Sequence, residues 1–300
     1  MKLISVLRYQ KPSSTVDSDR HEMEKVTVTM RRRSFMKNAG LLLTGTGTFL
    51  KNPSEAQASP KKGQRILITS GESNLAQIIA TYLSQDNQVT LTGLTQNQNK
   101  FPYIVSELDH SESTNKLVQG IDTVIHVAQA SSSADEFEHL DHQTRKTYNL
   151  LRAAATGNVQ RFIFLSSLEL MTNYNEDYLV SERWRPLPTT DPALLGKYLG
   201  EFTCREFARE EEFQVIILRL GKIINATATK GKKTDPLWVE EQEVAQAVSG
   251  ALSVKPYPRF HAQGVNRWRI FHIQSEFPGA RFSVGAAKGG LGYRPWFKPE

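Results

Sequence analysis

Arg65-Ile66-Leu67-Ile68-Thr69-Ser70-Gly71-Glu72-Ser73-Asn74-Leu75-Ala76 is the stretch on which the fold turns. A short continuous apolar run bounded by small polar residues reads as a buried strand. Behind it, apolar residues at 75, 78, 79 and 83 recur at helical spacing, which predicts a helix from Asn74 to Leu83. The eight residues Thr69 to Ala76 are thus a strand-to-helix turn made of small side chains. Such a turn lets the backbone double back tightly and aims the first helical N–H groups at an anion such as a pyrophosphate.

The same alternation continues outward. Gln88 to Thr92, Tyr103 to Val105, Asp122 to Val127, Arg161 to Leu165 and Gln214 to Leu218 read as strands, and His142 to Ala155 and Leu194 to Phe207 as helices. Continuous Val, Ile and Leu strands alternating with helices predict an α/β fold, a doubly wound parallel sheet covered on both faces. Ligands bind such sheets beyond the carboxyl ends of the strands, so the functional residues are expected in the turns that follow them.

Composition narrows the choice further. The 300 residues are 39% hydrophobic and 23% charged, ordinary for a globular chain and unlike a disordered or many-span membrane protein. The single cysteine, Cys204, excludes an internal disulfide framework and a cysteine-based zinc site. The net charge of +6 is unevenly placed. Residues 1–58 hold ten Lys and Arg against five Asp and Glu, a net of +5; residues 59–300 hold 27 against 26, a net of +1. With no basic groove on that second part, nucleic acid is not an expected partner.

The basic segment has its own pattern. Arg32-Arg33-Ser34-Phe35-Met36-Lys37 precedes a short apolar stretch, Ala39 to Leu50, and then Ala56-Gln57-Ala58. These are the charged, apolar and small-residue parts of an export signal. The apolar part is too short for a span, which needs about 20 residues, so no stable membrane anchor is expected. The arginine pair and its neighbours resemble a twin-arginine signal. That resemblance implies export of the folded protein to the periplasm by the twin-arginine translocase, with cleavage near Ala58. Met30, directly before the arginines, is an alternative start. Residues 59–300 would form one domain, with 222–300 a small C-terminal substrate-side part.

Further segments fall in a recognisable order. Gly120-Ile121-Asp122-Thr123-Val124-Ile125-His126-Val127-Ala128 is followed by Thr147-Tyr148-Asn149-Leu150-Leu151-Arg152-Ala153-Ala154, then Arg161-Phe162-Ile163-Phe164-Leu165-Ser166-Ser167, Gly196-Lys197-Tyr198-Leu199-Gly200-Glu201, Trp238 to Ala245 and Leu291-Gly292-Tyr293-Arg294-Pro295. Together, over about residues 64–297, they resemble the extended short-chain dehydrogenase/reductase family, the NAD-dependent epimerases and dehydratases. The resemblance implies a Rossmann-type sheet, NAD or NADP as cofactor, a sugar or nucleotide-sugar as small-molecule ligand, and a possible homodimer through the 142–155 and 194–207 helices. It places Ser70, Gly71, Ser73, Asn74 and Leu75 at the pyrophosphate, Glu107 and Leu108 at the adenine, and Val127, Ala128 and Lys197 beside the rest of the cofactor.

The chain also departs from the family. The three glycine positions of the turn carry Ser70, Ser73 and Ala76, and serine lacks glycine's ready access to positive φ. No acid ends the second strand: Thr92-Gly93-Leu94-Thr95 stands where a ribose-binding Asp is usual. In the family a Ser or Thr, a Tyr and a Lys act together. The Lys lies one helical turn beyond the Tyr and favours its phenolate, bringing a pKa of about 10 toward working pH. Here Ser167 and Lys197 hold two of the positions, but Ala193 replaces the tyrosine. Glu169 stands where some dehydratases place an acid, and Gln143 replaces a supporting Asn. Tyr174 and Tyr178, in the loop after Ser167, are the candidates for a stand-in.

Simpler roles are open for several of these residues. Ser167 can cap a strand end, and Lys197 can pair with Glu201 one turn on. His139, Asp141 and His142 read as a solvated helix face with no metal, and His126 as a satisfied buried histidine. Lys230, Lys232 and Lys233 form a small basic loop where the family's substrate segment begins. Two functions remain: a sugar or nucleotide-sugar oxidoreductase or epimerase relative with a rearranged site, or a non-catalytic binding protein of the same fold.

Overall fold

A computed structural model describes residues 63–95, 100–130, 134–210, 213–256 and 267–299. The segment that resembles an export signal, with the cleavage expected near Ala58, lies outside the described residues. In chain order the elements are β1 (Arg65–Ile68), α1 (Asn74–Leu83), β2 (Gln88–Gly93), β3 (Tyr103–Val105), α2 (Glu112–Leu117), β4 (Thr123–His126), α3 (Glu136–Gln143), α4 (Arg145–Thr156), β5 (Arg161–Ser167), a 3-10 turn (Leu168–Met171), α5 (Pro192–Glu210), β6 (Gln214–Leu220), β7 (Lys222–Ile224), β8 (Trp238–Glu240), α6 (Glu241–Ala251), β9 (Trp268–Ile273) and α7 (Gly285–Leu291).

Seven strands form one parallel sheet in the order β3-β2-β1-β4-β5-β6-β9, and β7 pairs with β8 in a small second sheet. The chain runs outward from β1 to β3 and then returns to β4 on the other side of β1. This reversal opens the crevice where a doubly wound sheet takes its ligand. Alternation along each strand divides the core. Ile66, Ile68, Ile125 and Ile163 pack with α1 and α6 on one face; Leu67, Val124, Phe162 and Phe164 pack with α4 and α5 on the other. Each such side chain, fully buried, contributes roughly 1.5–3 kcal/mol.

Local signals set the helix starts. The Ser73 hydroxyl caps α1 by accepting from the Ala76 N–H at 3.2 Å. Pro192 opens α5, where the Asp191 carboxylate accepts from the Leu194 N–H at 2.9 Å. Glu240 and Glu243 form a reciprocal capping box on α6.

The structure corrects the helix predicted over 142–155. It is two helices, α3 and α4, broken at Thr144 (φ −112°, ψ −81°), whose hydroxyl donates back to the Leu140 carbonyl at 2.7 Å. That bond competes with continuing the helix. Strand β9 was not anticipated, because Arg269 and His272 interrupt its apolar run. It lengthens the main sheet beside β6, while α6 packs on α1. Among the described residues no helix is long and apolar enough to cross a membrane.

Candidate functional site

The first turn takes a glycine-like conformation at one of its three substituted positions. Ser70 adopts φ +53°, in the left-handed region. A non-glycine residue there costs roughly 1–2 kcal/mol. Its hydroxyl offsets the strain by bonding both ways to one residue: it donates to the Gln129 carbonyl at 3.0 Å and accepts the Gln129 N–H at 3.2 Å. The bond ties the turn after β1 to the turn after β4. Gly71, at a variable position of the family pattern, is sterically required here: a Cβ would lie 2.7 Å from Tyr103 Cε2 and 2.9 Å from Leu91 Cβ. Asn74 and Leu75 open α1, and Ala76 is fully buried beneath it.

Two further turns are held the same way. Leu108 has φ +53° and Ala128 φ +51°. Asn149 holds the Leu108 carbonyl at 2.9 Å, and Gln143 donates to the Ala128 carbonyl. The Val127 N–H donates to the Thr69 hydroxyl at 3.1 Å. Strained backbone of this kind clusters where a fold approaches a ligand.

Between these turns lies a small cavity of about 10 Å³, lined among others by Ser70, Glu72, Thr92, Glu107, His142 and Lys146. Two of its lining residues are buried with an unpartnered polar atom among the described residues, Thr92 Oγ1 and His142 Nδ1. The Lys146 ammonium can only donate, so at 3.0 Å it makes His142 Nε2 the acceptor. Burial lowers the His142 pKa to about 4, so the ring is neutral and Nδ1 carries the proton. An unspent donor and an unspent hydroxyl are therefore buried on residues that line this cavity, together with the carboxylate residues Glu72 and Glu107. These groups can hydrogen-bond a polyhydroxylated ligand. His142 had read as solvated. It is buried because the break at Thr144 turns the end of α3 inward.

The catalytic side is arranged differently from the family expectation. Lys197 does not pair with Glu201. Its ammonium donates to the carbonyls of Leu165 at 2.7 Å, Val127 at 3.2 Å and Ala128 at 3.3 Å, and lies 5.3 Å from the centre of the Phe164 ring. Burial lowers its pKa to about 7, against the opposing influence of Glu201. The ammonium thus bridges the carboxyl ends of β4 and β5. Glu201 pairs instead with Arg219 on β6 and accepts from the Ser166 hydroxyl.

Ser167 ends β5 and caps the 3-10 turn. Its hydroxyl accepts the Glu169 N–H at 3.1 Å and lies 3.4 Å from the Glu169 carboxylate. Ala193 occupies the first turn of α5. The loop tyrosines do not replace the missing phenol. The Tyr174 hydroxyl donates to the Arg185 carbonyl at 2.6 Å, and both Tyr174 and Tyr178 pack on Trp184. His126 is satisfied on both sides, by the Thr69 and Thr147 hydroxyls. Sequence reading missed Glu72, Thr92 and Lys146. The available signal was an acid inside the first turn combined with a glycine at the end of β2.

The chain belongs to the NAD dependent epimerase/dehydratase family, whose model matches residues 66–248. An uncharacterized protein of Bacillus subtilis (strain 168), YtbQ, is 23% identical over 248 residues, covering 77% of this chain and 94% of its own. Among solved structures, glucuronic acid dehydrogenase from Chromohalobacter salexigens superposes with a TM-score of 0.64 at 18% identity, over 79% of this chain and 86% of that one. UDP-glucuronic acid 4-epimerase from Bacillus cereus, solved in complex with NAD, superposes with a TM-score of 0.62 at 17% identity, over 78% and 94%. The Rossmann-type sheet is common to them.

Proposed function

We propose that this is an exported, dinucleotide-binding member of the family, related to the sugar and nucleotide-sugar enzymes, whose degenerate site does not perform tyrosine-dependent hydride transfer. One observation carries the reading. The residue a turn before Lys197 is Ala193, and the Lys197 ammonium is engaged by three backbone carbonyls. Among the described residues no tyrosine hydroxyl bonds to this ammonium to pass a proton, and Tyr174 is tied to Arg185.

The crevice supports retention of the cofactor site. The turn would face the pyrophosphate through Ser70, Gly71 and the start of α1, while Glu107 and Leu108 would lie along the adenosine. Bound there, a dinucleotide would supply a hydride-carrying nicotinamide; this chain's residues bind and orient it. The ligand class, a sugar or nucleotide-sugar, is taken from relatives such as the glucuronic acid dehydrogenase and the UDP-glucuronic acid 4-epimerase.

Export rests on Arg32 to Ala58 and would place the mature chain in the periplasm after translocation already folded. A homodimer is supported by the outer face of α4 and α5, where Tyr148, Leu199 and Phe202 are exposed. A wild type that is monomeric by light scattering would overturn the homodimer, and a Phe202→Glu variant that stays dimeric would overturn this face as its interface.

The test of the whole reading is the dinucleotide content of protein purified from its own compartment, followed by thermal shift and turnover assays. Stabilisation by NAD(H) without oxidation or epimerisation of uronates or UDP-sugars is expected. An empty protein that neither dinucleotide stabilises would overturn cofactor binding, and measurable turnover would overturn the loss of chemistry.

A further inference from the structure

The end of β2 lacks an acid, yet a carboxylate stands there. Glu72, in the turn after β1, reaches across so that its carboxylate lies over Gly93, the last residue of β2. A Cβ on residue 93 would fall on Glu72 Oε2 and on the Tyr103 hydroxyl, with Glu72 Cδ 2.8 Å away. The place that a side chain of residue 93 would fill is therefore taken by the side chain of residue 72. Tyr103, the first residue of β3, fixes it by donating its hydroxyl to Glu72 Oε2 at 3.1 Å. Gly71 cannot carry a side chain because the same tyrosine ring lies against it.

We infer that Glu72 is the ribose-binding carboxylate of this chain, delivered from the first turn instead of from the second strand, and that it selects NAD over NADP. The inference rests on the dinucleotide reading above. A carboxylate at the tip of β2 accepts hydrogen bonds from the adenosine ribose hydroxyls, whereas a 2′-phosphate needs a cation there. Two acids, Glu72 and Glu107, line this cavity. Among the described residues the one cation lining it, Lys146, is bonded to His142. A 2′-phosphate placed there would meet like charge, which disfavours it. Thr92, beside Gly93, adds a buried hydroxyl with no partner among the described residues.

The test is equilibrium binding, by calorimetry and thermal shift, of NAD and NADP to the full chain. The wild type should bind NAD at least about tenfold more tightly, the equivalent of one charge-assisted hydrogen bond. Glu72→Gln keeps the shape and a partner for Tyr103; it should weaken NAD by a similar factor and leave NADP unchanged or improved. The double variant Glu72→Ala with Gly93→Asp returns the carboxylate to β2 and should restore the preference for NAD. A Glu72→Gln protein with the wild-type NAD to NADP ratio overturns the inference, as does a wild type that binds the two equally. A wild type that binds neither overturns the proposed function along with it.

Discussion

The Arg219 guanidinium and the Glu201 carboxylate meet on two parallel bonds, Nε to Oε1 at 2.9 Å and Nη2 to Oε2 at 2.7 Å, with side chains only 2% and 5% exposed. The pair joins β6 to the middle of α5. Ser166 donates a third bond to the carboxylate at 2.6 Å, and Met171 sulfur lies 3.4 Å from Arg219 Nη1. Removing one partner strands the other charge in the core, at a cost of about 3–5 kcal/mol. Arg219→Met should lose that much in chemical denaturation. Adding Glu201→Leu should recover most of it, since apolar replacement of both partners is often nearly neutral. A strictly additive double variant would show that the two do not act as a pair.

Ser70 makes an ordered prediction. Ser70→Gly relieves the left-handed φ but loses both bonds to Gln129. Ser70→Ala loses the bonds and keeps the strain. Each bond is worth about 1 kcal/mol, so the expected order of stability is wild type, then Gly, then Ala. Denaturation midpoints would check it; an alanine variant above the glycine variant contradicts the strain.

Lys197 gives a pH signature in the alkaline range. Its folded pKa is about 7 against an ordinary 10.5. Between those values the unfolded chain holds a proton that the folded chain has released, so stability rises with pH across that window. Below pH 7 both states are protonated and the full cost of the buried charge is present. The stability of Lys197→Met relative to wild type should therefore fall steadily from pH 7 toward 10.5. A pH-independent difference, measured by urea titration, would refute the burial of this ammonium.

His272 acts in the opposite range. It is fully buried between β6 and Phe282, and both ring nitrogens are unpartnered among the described residues. Burial, aided by Arg219, lowers its pKa from 6.5 to about 3. As pH falls below 6.5 the unfolded chain takes up a proton that the folded ring refuses, so stability is lost progressively down to about 3. His272→Leu should flatten the fall in Tm between those pH values. A variant with the wild-type slope would assign the acid lability elsewhere, with His142 the next group to change.

The parallel sheet was legible because it follows from local order, apolar runs alternating with helical spacing; Ser167, Ala193 and Lys197 were singled out only by the resemblance to the family. What was not legible depends on contacts distant in sequence. Nothing in Glu72 announces that it will lie over Gly93, because the meeting of β1's turn with β2's end requires the folded sheet. The Lys197–Glu201 pair was plausible from i,i+4 spacing, yet Arg219, 18 residues away, captured the glutamate. The burial of His142 turned on one residue, Thr144, whose hydroxyl ends a helix that periodicity alone would continue.

Gly196 and Gly200 set how deeply α5 sits. A Cβ on the first would lie 2.8 Å from Gln143 Cβ, and on the second 2.7 Å from both the Gln143 carbonyl oxygen and the Phe164 ring. These two gaps act as a depth gauge for the helix, and so for the direction in which residue 193 projects. Ala193, at the family's tyrosine position, sits in the first turn of this same helix. A tyrosine placed at residue 193 would be carried at the depth these glycines set, on the same helix as a lysine already bonded to three carbonyls.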